Sequence, residues 1–331
     1  MRPPRRLLHP ERVTFTYHIA DSRADALQRL SAAKTLPVAG GTDLVPCAEE
    51  GILSPAAVVD IRRIPGFRDV SVGPQGVTIG AAVTIASLAT HAELRAQYPM
   101  LAEACASVGT PALRNSGTIG GNLVQRHHCW YFRRGVGCFK RGGTQCAAVD
   151  GEHQYHGIVA DGTCRAVHPS DPAVALLALD AQVEIFREDG RVRMLDIAAL
   201  YDGASRDPLK EAQLDDGELI VAVHLPIAAA NGRQHWEKVM QRGAWDFALV
   251  SVAACRRSDG SVRMAMGGLG LAPWRVPDSI EEDVASGGLD EDSIDALVER
   301  AFYDMEPLAG NAYKRVMGQG VLKRAITALD A

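Results

Sequence analysis

The sequence has no run of about 18 consecutive apolar residues, and this excludes a helix that spans a membrane. It also has no sustained basic stretch, because the formal net charge is -5 and only 23% of residues are charged. Nucleic acid is therefore not an expected partner. No apolar segment follows the basic start at residues 2–6, so we expect no signal peptide. The composition is that of a soluble globular protein, and 331 residues suffice for two or three compact units.

A disulfide framework is also missing, because the chain has an odd number of cysteines, seven, spread over its whole length. Four of them fall within residues 129–164, and that crowding indicates a specific role. We interpret the others, Cys47, Cys105 and Cys255, as core or surface thiols. No Ser-His-Asp arrangement and no Glu-plus-metal arrangement is recognisable, so we predict no catalytic residue.

The hydrophobic pattern predicts three successive units. Residues 14–64 have a β-α-β-α-β pattern, in which Ser22 can cap the first helix. Residues 66–200 begin with a hairpin over 69–79 and continue with helices and a glycine-rich segment. Three strands within 236–269 and helices over 290–304 and 311–329 follow. The pattern therefore predicts an α+β protein with units at 12–65, 66–228 and 232–331.

The first motif with chemical content is Pro-Val-Ala-Gly-Gly-Thr-Asp-Leu at residues 37–44, between a predicted strand and a predicted helix. Paired glycines allow a tight turn that exposes consecutive backbone N–H groups, and such a turn at a helix start suits a phosphate. Taken alone, an ordinary turn with a helix cap is the simpler interpretation. The motif is not a G-x-G-x-x-G fingerprint, so it does not indicate a Rossmann site.

The second motif, at residues 110–123, contains three glycines and several hydroxyl residues with few bulky side chains. Such a segment can lie against a diphosphate, with Ser116, Thr118 and Asn122 as side-chain donors. The alternative is a tight buried connection in which glycine permits close packing of the backbone. Each motif by itself is therefore a weak indication of nucleotide binding.

The two motifs in this order resemble the FAD diphosphate-binding motifs of the flavin subunits in the xanthine oxidase and carbon monoxide dehydrogenase family, the molybdenum hydroxylases. The resemblance continues through residues 168–176, 217–226, 238–250 and the C-terminal helix. It implies a two-subdomain FAD-binding fold of the vanillyl-alcohol oxidase (PCMH) type, followed by a small C-terminal α+β domain. It also implies that backbone N–H groups and hydroxyls, rather than arginine, hold the FAD phosphates.

The resemblance also implies which residues contact FAD. From the first motif these are Pro37, Val38, Ala39, Gly40, Gly41, Thr42, Asp43 and Leu44. From the second motif they are Thr110, Arg114, Asn115, Ser116, Thr118, Gly120, Gly121 and Asn122. Ser170 and Asp171 are expected to approach the flavin nucleotide, Ile220 to pack on the isoalloxazine ring, and Lys238 to lie near the flavin.

The crowded cysteines are Cys129, Cys138, Cys146 and Cys164, and they lie in an insert at about 124–168. Four thiolates suit a four-iron four-sulfur cluster or a zinc ion. The C-x2-4-C knuckle typical of zinc is missing, but the spacing also differs from ferredoxin signatures, so spacing alone leaves both metals open. Unconnected thiols or a pair of disulfides are the alternatives without a metal.

The insert is also rich in positive charge. Five basic residues and no acidic residue occur over residues 126–141, namely Arg126, Arg133, Arg134, Lys140 and Arg141. These charges can offset the negative charge of a cluster and its thiolates, although a solvated or docking surface is the usual meaning of such a run. The insert resembles that of the FAD subunits of bacterial periplasmic aldehyde oxidoreductases. This implies a 4Fe-4S cluster on the four cysteines.

The resemblance as a whole implies an electron-transfer subunit. It implies that a large partner carries the molybdenum cofactor and oxidises an aldehyde, and that a small partner relays electrons through 2Fe-2S clusters to the FAD of this chain. The alternatives are a β subunit of a 4-hydroxybenzoyl-CoA reductase-type enzyme, a self-contained flavin oxidase, and a non-redox module with structural zinc. We expect assembly in the cytoplasm, with export to the periplasm together with a partner that bears a signal.

Overall fold

A computed structural model describes residues 14–159, 164–187, 189–203 and 207–330. The first two residues of the predicted unit 12–65 and residues 160–163 of the insert lie outside this part of the chain. Each of its three sheets lies within one of the three predicted units. In the part described, no helix has both the length and the apolar character needed to cross a membrane.

The first unit is a parallel sheet of three strands with two connecting helices. The elements are β1 (Thr16–Ile19), α1 (Arg23–Leu30), β2 (Thr35–Val38), α2 (Leu44–Glu49) and β3 (Ala57–Asp60). The central strand is β3, which pairs with both β1 and β2. The predicted cap is confirmed, because the Ser22 side chain accepts a hydrogen bond from the N–H of Asp25. The paired glycines of the first motif follow β2, at the carboxyl end of a parallel strand, where α/β proteins commonly bind ligands.

The second unit is an antiparallel sheet of five strands covered by helices. Its strands are β4 (Val70–Gly73), β5 (Gly76–Gly80), β6 (Gln182–Phe186), β7 (Val192–Asp196) and β8 (Leu219–Pro226). Their order is β4-β5-β8-β6-β7, and β4 with β5 forms the predicted hairpin. The helices are α3 (Ile85–Thr90), α4 (Ala92–Gln97), α5 (Pro99–Ala106), α6 (Pro111–Ser116), α7 (Ile119–Leu123), α8 (Trp130–Arg133), α9 (Ala147–Asp150), α10 (Asp171–Ala178) and α11 (Ile197–Tyr201). The second glycine motif thus forms two short helices, α6 and α7.

The third unit is an antiparallel sheet of four strands with helices. It contains β9 (Arg233–Val239), β10 (Val250–Arg256), β11 (Val262–Gly267), β12 (Trp274–Arg275), α12 (Asp278–Ser286), α13 (Glu291–Ala301) and α14 (Tyr313–Asp330). The strand order is β12-β11-β10-β9. Helix α14 packs against β9 and β10, whereas α10 of the second unit packs against β10 and β11. Because every residue of α10 is buried, this helix joins the second and third units into one packed body.

Candidate FAD cleft and cysteine site

The two glycine motifs contact each other although they are far apart in sequence. A Cβ atom added to Gly40 would lie 1.8 Å from the backbone oxygen of Ser116. A Cβ atom added to Gly117 would lie 3.3 Å from the Thr42 hydroxyl oxygen. Backbone approaches backbone at this point, so only glycine fits at position 40. The convergence that the sequence predicts is therefore present.

A cleft of about 410 Å³ opens where the two motifs meet. A cavity of this size is within the range of small-molecule and cofactor sites. It brings together most of the residues that the sequence predicts to contact FAD. Those that line it are Pro37, Val38, Ala39, Gly40, Gly41, Thr42, Asp43, Leu44, Thr118, Gly121, Asn122, Asp171 and Lys238.

The free backbone donors are concentrated in the first motif. Within the described ranges, the N–H groups of Gly40, Gly41 and Thr42 have no hydrogen-bond acceptor. In the second motif, the N–H groups of Gly117 and Gly120 bond to other backbone oxygens. The expectation that the amides of both motifs hold a diphosphate together therefore needs correction. Most N–H groups of the second motif already bond within α6 and α7 or to the carbonyls of Ala81 and Val83.

Several predicted contact residues have structural roles outside the cleft. Thr110 caps α6 by accepting from the N–H of Leu113, and the Arg114 guanidinium donates to the carbonyl of Val108 at 2.7 Å. Gly120 packs against Ala81, since a Cβ atom there would lie 2.9 Å from the Ala81 methyl group. Asn115 and Ser116 are exposed to solvent and lie outside the residues that line the cleft.

Ile220 lies in the hydrophobic core rather than on the cleft. It belongs to β8, where it pairs with Ile185 of β6, and only 4% of its surface is exposed. β8 lies between β5 and β6, so both of its edges are paired. The Ile220 side chain packs with the hydrophobic core of the second unit. The prediction that Ile220 packs on the flavin ring is not supported by this position.

A buried ion pair connects the second and third units at the cleft. The Lys238 ammonium donates to the Asp171 carboxylate at 2.7 Å and to the carbonyl of Ser107 at 3.0 Å. Burial raises the pKa of the Asp171 carboxyl, and the charge of Lys238 opposes that rise. Next to this pair, the Ser170 hydroxyl donates to the side-chain oxygen of Asn122 at 2.5 Å. The predicted residues Ser170, Asp171 and Lys238 thus lie close together, although Ser170 faces a neighbouring cavity instead of the cleft.

The structure adds cleft residues that the sequence prediction missed. Trp245 and Phe247 line the cleft, and they are large hydrophobic residues with 63% and 49% of their surface exposed. Trp245 has a φ of 60°, a backbone conformation that bulky residues rarely adopt. The Phe247 ring lies 4.5 Å from that of His128, another lining residue. We call Trp245 and Phe247 the aromatic wall of the cleft. The sequence signal that could have identified it is the presence of two aromatic residues in the short loop that follows the strand of Lys238.

The four crowded cysteines also come together. Cys129, Cys138, Cys146 and Cys164 line one small cavity of about 10 Å³. Burial raises the pKa of Cys129, and it raises that of Cys164 to about 12. Without a metal these two thiols are therefore protonated at neutral pH, and a metal would have to displace their protons. Within the described ranges, no group of three or more His, Cys, Asp or Glu residues is arranged to hold a metal ion.

The cysteines outside the insert are buried thiols of the core. Cys47, Cys105 and Cys255 have no exposed surface, so of the two predicted possibilities, core or surface thiols, all three are core thiols. Burial raises the pKa of Cys47 to about 12 and that of Cys255 to about 11. Such thiols are unreactive at neutral pH.

The basic residues of the insert mainly form ion pairs with carboxylates. The Arg133 guanidinium donates to Asp43 at 2.9 Å and to Glu50 at 3.2 Å, so it links the insert to the first glycine motif. Lys140 donates to the buried Glu211 at 3.0 Å. The prediction that these charges can offset a cluster does not hold for Arg133 and Lys140, because carboxylates of the surrounding units neutralise them.

A larger cavity of about 530 Å³ separates the cysteine site from the cleft. Cys129 and His156 line it on the side of the cysteines. Asp171 and Phe247 line both this cavity and the cleft. The cleft and the cysteine site are therefore neighbours.

Comparisons with known proteins agree with this architecture. The family model described as the FAD binding domain in molybdopterin dehydrogenase matches residues 13–228. The chain is 36% identical to the aldehyde oxidoreductase FAD-binding subunit PaoB of Escherichia coli, over 93% of this chain and 96% of that subunit. It is 26% identical to the carbon monoxide dehydrogenase medium chain of Hydrogenophaga pseudoflava, over 95% of this chain and 96% of that chain.

The fold has a solved counterpart. A structure of carbon monoxide dehydrogenase from Hydrogenophaga pseudoflava superposes with a TM-score of 0.73 at 23% identity, over 99% of this chain and 98% of that chain. This likeness shows a shared fold. Together with the family match it identifies the chain as a member of the FAD-binding medium subunits of the molybdenum hydroxylase family, which are subunits of oxidoreductases.

Proposed function

We propose that this chain binds FAD and a four-iron four-sulfur cluster and transfers electrons within a molybdenum-dependent aldehyde oxidoreductase. Electrons would come from the 2Fe-2S clusters of a small partner subunit and leave to an external acceptor. A large partner with the molybdenum cofactor would oxidise the aldehyde. The choice of an aldehyde is supported by the 36% identity to an aldehyde oxidoreductase subunit, which extends over 93% of this chain.

The observation that carries the proposal is the adjacency of the cysteine site and the cleft. The cavity of about 530 Å³ contacts Cys129 at one end and shares Asp171 and Phe247 with the cleft. Two redox groups held at these places would be neighbours within one chain. Transfer of electrons between groups requires such closeness, whereas a binding module without redox chemistry does not.

The cleft suits FAD by its donors and its shape. The free N–H groups of Gly40, Gly41 and Thr42 can donate to the oxygens of a diphosphate, and the Asn122 amide lies on the same cleft. When bound there, FAD supplies the redox chemistry, and the protein supplies placement and electrostatic tuning. The buried Lys238 ammonium also lines the cleft, where Asp171 balances its charge.

We prefer a cluster to a single zinc ion because the insert resembles that of aldehyde oxidoreductase FAD subunits. Zinc needs its ligands at about 2.3 Å from one centre, whereas a cluster places a core of several atoms between the thiolates. The four thiols line one cavity but, within the described ranges, are not arranged around a single ion position, so a metal group of either kind would have to reshape the site. The cavity of about 10 Å³ is no larger than one water molecule, so the cysteine side chains would separate when the core enters.

The proposal is tested on the complex purified with its partner subunits. We expect one FAD and four irons with four acid-labile sulfides per copy of this chain, besides the iron of the small partner. Anaerobic addition of an aldehyde substrate should bleach the flavin absorbance. Cys164→Ser should remove the four irons of this chain, whereas Cys105→Ser, at a buried cysteine outside the site, should retain them.

Other outcomes separate the alternatives. One zinc and no additional iron per chain would favour the structural module and reject the cluster. If the flavin is not reduced by aldehyde, and the chemically reduced flavin is oxidised by 4-hydroxybenzoyl-CoA, the result would favour a 4-hydroxybenzoyl-CoA reductase-type enzyme. A chain purified without flavin would reject the proposal as a whole.

A further inference from the structure

The imidazole of His156 lies directly against one of the crowded cysteines. Its Nε2 atom is 3.3 Å from the sulfur of Cys129, and only 3% of the residue is exposed. The rings of Trp130 and Tyr131 lie 5.2 Å and 5.9 Å from the imidazole. Within the described ranges the other ring nitrogen, Nδ1, has no hydrogen-bond partner. The hydrogen-bonding capacity of this ring is thus directed at Cys129.

The C-terminal unit holds the backbone around His156 in place. The Asn311 amide donates to the carbonyl of His156 at 3.0 Å, and Asn311 itself is fully buried. The buried Lys314 ammonium donates to the carbonyl of Tyr155 at 3.1 Å. The Tyr313 hydroxyl donates to the carbonyl of Gln154 at 2.7 Å. Three consecutive carbonyls of the insert are thus fixed by three side chains of residues 311–314, so the imidazole position is determined by another unit of the chain.

We infer that His156 is a positioning residue that donates its Nε2–H to the Cys129 thiolate and raises the reduction potential of the iron–sulfur centre. This inference rests on the proposed cluster. A thiolate bound to iron carries no proton, so the hydrogen between sulfur and Nε2 belongs to the imidazole. Reduction adds negative charge to the cluster and its sulfurs, and a hydrogen bond to sulfur therefore stabilises the reduced state more than the oxidised state.

The test uses the purified complex with His156→Phe, which keeps an aromatic ring but has no donor, and His156→Gln, whose amide can still donate. The cluster is titrated with reductant and followed by electron paramagnetic resonance. We expect His156→Phe to lower the ratio of reduced to oxidised cluster about tenfold at a fixed potential, which corresponds to about 59 mV for one electron. His156→Gln should restore most of this loss. His91→Phe, at a half-buried histidine far from the insert in sequence, should leave the ratio unchanged.

A second measurement has its decisive readout in the wild-type complex. In complex labelled with 15N-histidine, pulsed electron paramagnetic resonance of the reduced cluster should detect a 15N coupling that is absent from His156→Gln. A wild-type complex with a cluster but without this coupling would overturn the role of His156, and so would an unchanged potential in His156→Phe. Absence of the additional iron and sulfide from the wild-type complex would instead reject the proposed function.

Discussion

At the scale of single residues, Gly40 is the position at which the two glycine motifs contact each other. A methyl group at this position would meet the Ser116 carbonyl at 1.8 Å, so Gly40→Ala must push the motifs apart. Such overpacking costs about 1–3 kcal/mol, and about 1.4 kcal/mol corresponds to a factor of ten in affinity. We therefore expect FAD binding to weaken about tenfold or more, measured by fluorescence titration of flavin-free protein.

The matched control is Gly243→Ala. Gly243 belongs to the loop next to the cleft, and a Cβ atom there would have no heavy atom within 4 Å. FAD affinity should stay within about twofold of the wild type. Equal affinity of Gly40→Ala and wild type would show that the contact between the motifs does not determine binding.

The buried ion pair of Lys238 and Asp171 is expected to stabilise the folded chain. Lys238→Met would leave the Asp171 carboxylate buried without its cation, and the loss of one partner of a buried pair costs about 3–5 kcal/mol. We expect a lower free energy of unfolding in urea, measured on flavin-free protein. Adding Asp171→Asn to the same chain should recover much of the loss. A loss below about 1 kcal/mol in the single variant would mean that water already reaches this carboxylate.

Glu211 makes part of the stability dependent on pH. Although burial raises the pKa of its carboxyl, hydrogen bonding from His127 and the charges of Lys140 and Arg126 lower it to about 2 from 4.5. Because the unfolded chain binds this proton more tightly, the contribution is complete above about pH 4.5 and disappears as the pH falls towards about 2. We expect the loss of stability with falling pH to be less steep over this range in Glu211→Gln than in the wild type, as followed by circular dichroism. An identical slope in both proteins would contradict the assignment.

At the scale of elements, two glycines of α14 provide an internal comparison. A Cβ atom at Gly318 would lie 2.6 Å from the buried ring of Phe302, whereas at Gly320 the nearest atom is 3.6 Å away. Gly320→Ala should stabilise the protein by up to about 1 kcal/mol, because alanine favours a helix over glycine. Gly318→Ala should destabilise it by about 1–3 kcal/mol. Thermal unfolding of both variants tests the prediction, and a shift of both in one direction would contradict it.

The elements also explain what the sequence could and could not predict. The cap at Ser22 and the hairpin of β4 and β5 follow from local pattern, and both are confirmed. The second glycine motif is predicted only as a glycine-rich segment, yet it forms α6 and α7, and most of its N–H groups have backbone partners. Helix formation there depends on packing against neighbours such as Ala81, and a local pattern does not contain that information.

At the scale of the whole molecule, long-range contacts decide which predicted residues reach the cleft. The convergence of two distant motifs could be expected only from resemblance, because no local spacing specifies it. Ile220 belongs to an apolar strand whose pattern does not tell which layer its side chain faces. The aromatic wall of Trp245 and Phe247 escaped prediction because its place on the cleft depends on the docking of the third unit on α10.

Removal of the metal should affect one part of the molecule selectively. The insert has only short helices between 124 and 159, and Arg134 and Arg141 are exposed there. If the cysteines hold a cluster, its removal by a chelator should accelerate tryptic cleavage after these arginines. The three sheets should remain intact and FAD should stay bound, as seen by gel electrophoresis and flavin fluorescence. Unchanged cleavage would mean that the ion pairs of Lys140 and Glu211 suffice to hold the insert.

The position of Arg133 has a consequence for how the subunit matures. One guanidinium of the insert holds Asp43 of the first glycine motif, and the N–H of Arg126 donates to the same carboxylate at 2.8 Å. The loop that would receive the dinucleotide is therefore shaped by the segment that would receive iron. During biogenesis the insert and the flavin loop are therefore expected to take their final shape together, because both depend on this one carboxylate.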